Sequence, residues 1–125
     1  MLQLGQTWSQ GGVDLTVDRV DVGTNGLVPS VTVFYTVHNT GTLVLALTLD
    51  QQQGIKVVDN LGTEYPLACC LATKLYTWSL APGESQRAFG QFQGNAAAPG
   101  VDTLNLTFQQ VGPISGAQWS VSLVH

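Results

Sequence analysis

Two histidines, His38 and His125, two adjacent cysteines, Cys69 and Cys70, and eight carboxylate side chains are the raw material for any catalytic or metal centre in this chain. A hydrolytic triad needs a nucleophile, a base and a group that orients the base. His38 would have to be that base, because His125 is the last residue. No Gly-x-Ser-x-Gly elbow surrounds a serine, and neither a phosphate-cradling glycine loop nor a zinc-spaced Cys/His set occurs. His38 therefore reads as a structural or surface histidine, and no catalytic residue is expected.

Paired carboxylates can cleave glycosides, but Asp14, Asp18 and Asp21 lie along one stretch whose strand phase is mixed. Asp59, Asn60 and Glu64 are weak calcium candidates, since they gather hard oxygen donors around one turn. They lack the alternating donors of a dedicated calcium loop. The simpler reading is that Asp59 and Asn60 cap a hairpin through side-chain hydrogen bonds. No metal and no cofactor is expected.

Neighbouring cysteines can close only a strained vicinal disulfide, which would not staple the fold. Buried free thiols behaving as small hydrophobes are the plainer reading of Cys69 and Cys70. A vicinal or an intermolecular disulfide remains open. Leu67-Ala68-Cys69 spells part of a lipoprotein cleavage box, but mid-chain and with no apolar stretch before it. Tyr76 and Trp78 are weak binding candidates: they share strand parity with Leu80, and flat aromatics can stack on sugar rings. Leu75, Thr77 and Ser79 form the more polar parity, so burial of Tyr76 and Trp78 is the simpler expectation. Trp8 and Trp119 are expected in core layers, and Asn105-Leu106-Thr107 is a glycosylation sequon with Asn105 on a polar face.

The elements that would position these residues are strands. Period-two alternation dominates, as in half-buried sheets. Val31, Val33, Tyr35 and Val37 share one face, with Thr32, Thr36 and His38 on the other. Leu104, Leu106 and Phe108 alternate with Thr103, Asn105 and Thr107, and Trp119, Val121 and Leu123 with Ser120 and Ser122. Val13, Leu15 and Val17 share a face, after which Val20 and Val22 continue on the opposite parity. A one-residue slip predicts a bulge or a sheet-switching bend. Leu43 to Leu49 is apolar on both faces apart from Thr48 and reads as a central strand. Weaker strands are expected near Leu2–Trp8, Ile55–Val58, Leu75–Leu80 and Ser85–Gln93, and a short helical turn within 67–75. Turn signals separate them: Asn25-Gly26, Asn39-Thr40-Gly41, Asp59-Asn60-Leu61-Gly62, Ala81-Pro82-Gly83, Pro99-Gly100 and Gly112-Pro113. Seven to nine short strands punctuated this way predict an all-β, antiparallel β-sandwich.

The chain of 125 residues is expected to form one domain, 1–125. Size scaling gives roughly 6,500 Å² accessible when folded against ~19,000 Å² extended, enough for a core without staples. Charged residues make up 10%, against ~25% in ordinary soluble domains. A net charge of −4 with four Lys and Arg residues excludes nucleic acid as a partner and disfavours an anionic membrane surface. No apolar run is long enough to span a bilayer, so direct membrane insertion is not expected. Met1 to Gln6 shows neither a basic nor an apolar targeting region, and the charge-poor composition favours a mature or excised extracellular segment over a cytosolic protein. Little like-charge repulsion opposes self-association.

From Val31 onward the order of features resembles the immunoglobulin-like domains of bacterial cell-surface and secreted proteins, similar to the fold of mycobacterial immunoprotective antigens. The features are a strand ending in Tyr35-Thr36-Val37-His38-Asn39-Thr40-Gly41 and the segment Val58-Asp59-Asn60-Leu61-Gly62-Thr63-Glu64-Tyr65. Trp78-Ser79-Leu80-Ala81-Pro82-Gly83-Glu84-Ser85 and the alternating Leu104-Asn105-Leu106 follow. The resemblance implies an immunoglobulin-like sandwich at a cell surface or outside the cell, and brings no catalytic residues.

The leading expectation is a non-enzymatic extracellular β-sandwich module for protein interaction or structural assembly, at a cell surface or in an ordered array, with a protein partner or a second copy. A carbohydrate-binding module with exposed aromatics, and hence a glycan ligand, is the alternative. An enzyme would need His38 in a cleft within hydrogen-bond reach of a Ser, Asp or Glu.

Overall fold

The computed structural model describes residues 2–25, 27–50, 54–66 and 75–123, with the backbone described at 25, 48–50 and 75–78. Ten strand segments follow in chain order: β1 (Thr7–Gln10), β2 (Val13–Asn25), β3 (Val28–Asn39), β4 (Leu45–Asp50) and β5 (Ile55–Asp59), then β6 (Glu64–Tyr65), β7 (Leu75–Leu80), β8 (Ser85–Gln93), β9 (Thr103–Val111) and β10 (Ile114–Ser122). The expected total of seven to nine is exceeded, and the two-residue β6 is too short to leave a periodic signal.

The strands form an antiparallel β-sandwich, as expected. One sheet has the order β1-β2-β3-β8, the second β10-β9-β5-β6, and β4 pairs with β7 in a two-stranded ribbon. Alternation decides which face turns inward. Val31, Val33, Tyr35 and Val37 of β3 are buried, as are Leu104, Leu106 and Phe108 of β9 and Trp119 and Val121 of β10. The two sheets meet where Tyr35 and Phe108 lie 5.2 Å apart edge to face, and within the second sheet Phe108 and Trp119 lie 5.4 Å apart in the same geometry. Trp119 satisfies its buried indole N–H by donating to the Gln6 carbonyl at 3.0 Å. The accessible surface is 6641 Å², the size expected for a close-packed chain of this mass.

The parity slip in β2 is a bulge. Val17 pairs with Tyr35 and Arg19 with Phe34, leaving Asp18 as the extra residue. The Thr36 hydroxyl donates to Asp18 Oδ2 at 2.6 Å, which ties the bulge to β3. The opening segment crosses between sheets: Leu2 bonds to Gln118 and Ser120 of β10, and β1 then pairs with β2.

One strand departs from expectation. Leu43 and Val44 are 80% and 64% exposed, and β4 pairs only with β7 among the described residues. The segment is therefore an outer ribbon strand rather than a central one. Among the described side chains of β4 only Leu47 is buried, seated against the β9–β10 turn where any Cβ at Gly112 would collide with it. The β1–β2 turn is Gly11-Gly12 with φ of 61° and 81°, the paired left-handed conformation that a two-residue hairpin loop requires. The helical turn expected in the 67–75 region lies outside the described residues, apart from the start of β7.

Candidate functional site

Both polar turn motifs become buried caps. Asn39 closes β3 at 2% exposure. Its side-chain amide donates to the carbonyls of Leu43 at 2.9 Å and Leu80 at 3.0 Å, and its Oδ1 accepts the Gly41 N–H at 2.9 Å. One side chain thus ties the end of the sandwich to the start of the ribbon. At the opposite end, Asp59 is 5% exposed. Its Oδ1 accepts the N–H groups of Leu61 and Thr63, each at 2.9 Å, and its Oδ2 accepts the Tyr65 hydroxyl at 3.0 Å. Burial, and then the adjacent Asp59 carboxylate, push the Tyr65 hydroxyl up to about 12. Asn60 Oδ1 accepts from the Asp102 and Thr103 N–H groups, and its amide donates to the Gly100 carbonyl. Of the three calcium candidates, Asp59 and Asn60 therefore have their oxygens engaged in turn closure, while Glu64 lies exposed on β6.

His38 sits on the outward face of the four-stranded sheet. Asp14, His38 and Ser85 occupy one cross-strand row, in register on β2, β3 and β8. This row lines a shallow depression of about 270 Å³ together with Thr7, Thr16, Asp18 and Thr36. The row is not wired as a triad. Ser9 donates to Asp14 Oδ1 at 2.6 Å, and His38 Nε2 donates to the Gly83 carbonyl at 3.2 Å. Thr7 and Thr16 share a hydroxyl hydrogen bond of 2.7 Å. The result is a polar, multiply bonded floor.

Beyond this floor lies an aromatic patch that parity alone would have revealed. Phe34 interrupts the polar run of Thr32, Thr36 and His38 on the outward face of β3, and it pairs in register with Phe89 of β8. Their ring centroids are 6.0 Å apart at 39°, and Phe89 is 46% exposed. The Arg19 guanidinium lies 4.3 Å from the Phe34 ring centroid and bonds Asp21 at 3.0 Å. Among the described residues this patch sets an exposed Phe89 beside a half-buried Phe34. The backbone of Tyr76 and Trp78 runs in β7 opposite Leu49 and Leu47, while their side chains lie outside the described residues. Cys69, Cys70 and His125 lie outside them as well. Trp119 is fully buried and Trp8 is half-buried.

The third surface is apolar. Leu43 and Val44 lead into β4 and line a depression of about 380 Å³ with Gly11, Gly12 and Gly41. At the far end of the molecule the β2–β3 tip exposes Leu27 completely.

No protein-family model matches the chain, and no curated protein matches it. Solved structures do. The yjhA protein of Bacillus subtilis superposes with a TM-score of 0.63 at 15% identity, covering 99% of this chain and 100% of that one. An uncharacterized β-sandwich protein of Clostridium difficile gives 0.60 at 11% identity, over 98% and 93%. MPT63, a secreted protein of Mycobacterium tuberculosis, gives 0.59 at 10% identity, over 97% and 95%. At these identities the likeness is one of fold. It extends over nearly the whole chain and includes a mycobacterial secreted protein, as the sequence resemblance implied for the fold.

Proposed function

We propose that this protein is a non-enzymatic extracellular β-sandwich module whose work is protein interaction or structural assembly, at a cell surface or in an ordered array. The observation that carries this reading is the uncharged, apolar segment Leu43–Leu47, which begins in exposed side chains and continues into an outer strand. Outer strands present unpaired backbone groups, and apolar ones invite a neighbour. The low charge of the chain and the fold likeness to a secreted protein support the extracellular setting. Amide hydrogen exchange at low and high protein concentration tests the assembly form. Protection that grows with concentration in one surface segment is expected; exchange independent of concentration throughout contradicts it.

A second reading has its own support. The Phe34–Phe89 pair beside the Asp, Thr and His side chains of the depression offers an apolar platform next to hydroxyl and carboxylate partners, the combination that holds a glycan. A glycan array with the unmodified chain and a Phe89→Ala variant checks it: binding lost in the variant supports a sugar site on this face, and an empty array removes it.

A further inference from the structure

The outer strands of the two sheets carry devices that discourage pairing with another chain. β1 has four residues and β6 two. β8 carries Arg87, whose carbonyl accepts a hydrogen bond from the Gln86 side chain at 3.0 Å. On β10, the Leu2 backbone occupies Gln118 and Ser120, and Gln10 Oε1 accepts the Ser115 N–H. The β4–β7 ribbon has none of these among the described residues: neither strand contains Lys, Arg or Pro.

On the β4 side the sequence is also self-complementary. Leu43-Val44-Leu45-Ala46-Leu47-Thr48-Leu49 reads the same in both directions, apart from Val44 and Thr48, whose side chains have nearly the same shape. An interface between two copies related by a two-fold axis must match itself residue for residue. We propose that the outer edge of β4 pairs antiparallel with β4 of a second copy of this chain, about a two-fold axis at Ala46. Leu45 then lies opposite Leu47 of the second copy, Val44 opposite Thr48 and Leu43 opposite Leu49. Asp50, the only charged residue of β4, lies opposite Thr42, so no charge meets a like charge. The two ribbons join into one four-stranded sheet, and the exposed Leu43 and Val44 gain cover. This proposal rests on the assembly reading above and names the partner for it.

Light scattering on the purified chain and its variants tests the pairing. The unmodified protein is expected to approach twice 13.3 kDa as concentration rises. Ala46→Lys sets two ammonium groups against each other on the axis and should raise the dimer dissociation constant at least a hundredfold, with an unchanged melting temperature at dilutions where the unmodified chain is monomeric, because Ala46 is exposed. Val44→Lys, in the loop before the strand, serves the same purpose if Ala46→Lys melts early. Leu27→Lys, at the other end of the molecule, should leave the dimer intact. A monomer at every concentration overturns the pairing. A larger species that survives both Ala46→Lys and Val44→Lys overturns it while leaving the assembly reading standing. Dissociation by Leu27→Lys to the same degree also overturns it, because it would mark unspecific apolar association.

Discussion

Two buried polar side chains, Asn39 and Asp59, hold the two ends of the sandwich, and both occupy positions that the turn motifs marked in advance. Their burial makes them costly to change, because each would leave several backbone groups without partners. Asn39→Ala strands the carbonyls of Leu43 and Leu80 and the N–H of Gly41. A loss of roughly 2–4 kcal/mol is expected in urea unfolding, and the β3–β4 connection should show the largest gain in amide exchange. Tyr65 supplies a pH signature. Its hydroxyl is held up to about 12 in the fold against 10 for the free side chain, so the unfolded chain loses its proton first. The associated stability is complete below pH 10 and disappears as the pH rises towards 12. Unfolding midpoints measured across that window should fall, and Tyr65→Phe should lessen the fall. Phe34 is not among the residues singled out from sequence, yet it carries a local signal, an apolar ring among the outward Thr32, Thr36 and His38.

Among the elements, the strands with a clear two-residue period and the turns with Gly, Pro or Asn were legible because each rests on local chemistry. The bulge was legible for the same reason, since the slip between Val17 and Val20 can be seen in one dimension. It leads to a contrast between two deletions. Removing Asp18 restores strict alternation through Val13, Leu15, Val17, Val20 and Val22, so the fold should survive with a modest loss of melting temperature. Removing Thr16 also brings Val13, Leu15, Val20 and Val22 into one phase, but it turns Asp18 inward and Val17 outward and should cost far more. Circular dichroism of both deletion variants checks the pair. The outer place of β4 is not legible in the sequence, because a strand buried on both sides and an apolar strand at an outer edge have the same local pattern. Pairing partners distant in sequence make the difference, and β7 meets β4 across the segment 51–74. Gly11-Gly12 does not stand among the turn signals expected from sequence, although paired glycines suit a two-residue hairpin loop.

For the whole molecule, the low content of charged residues leaves little like-charge repulsion to oppose self-association. Four Lys and Arg residues against eight acids make a charge-poor chain, and the fold likeness to bacterial β-sandwich proteins says nothing further about role. The site residues expected from sequence were placed unevenly. Asp59 and Asn60 serve the turns, His38 shares a polar floor with Asp14 and Ser85, and the uncharged run from Leu43 became the surface on which the functional reading rests. That reading is tested most directly by the molar mass of the unmodified chain in solution, measured from micromolar to millimolar concentration with and without a thiol reductant. A mass rising from 13.3 kDa towards its double is expected, with reductant making no difference. A constant 13.3 kDa would contradict it, and so would a larger species that reductant dissolves, which would move the link to Cys69 or Cys70.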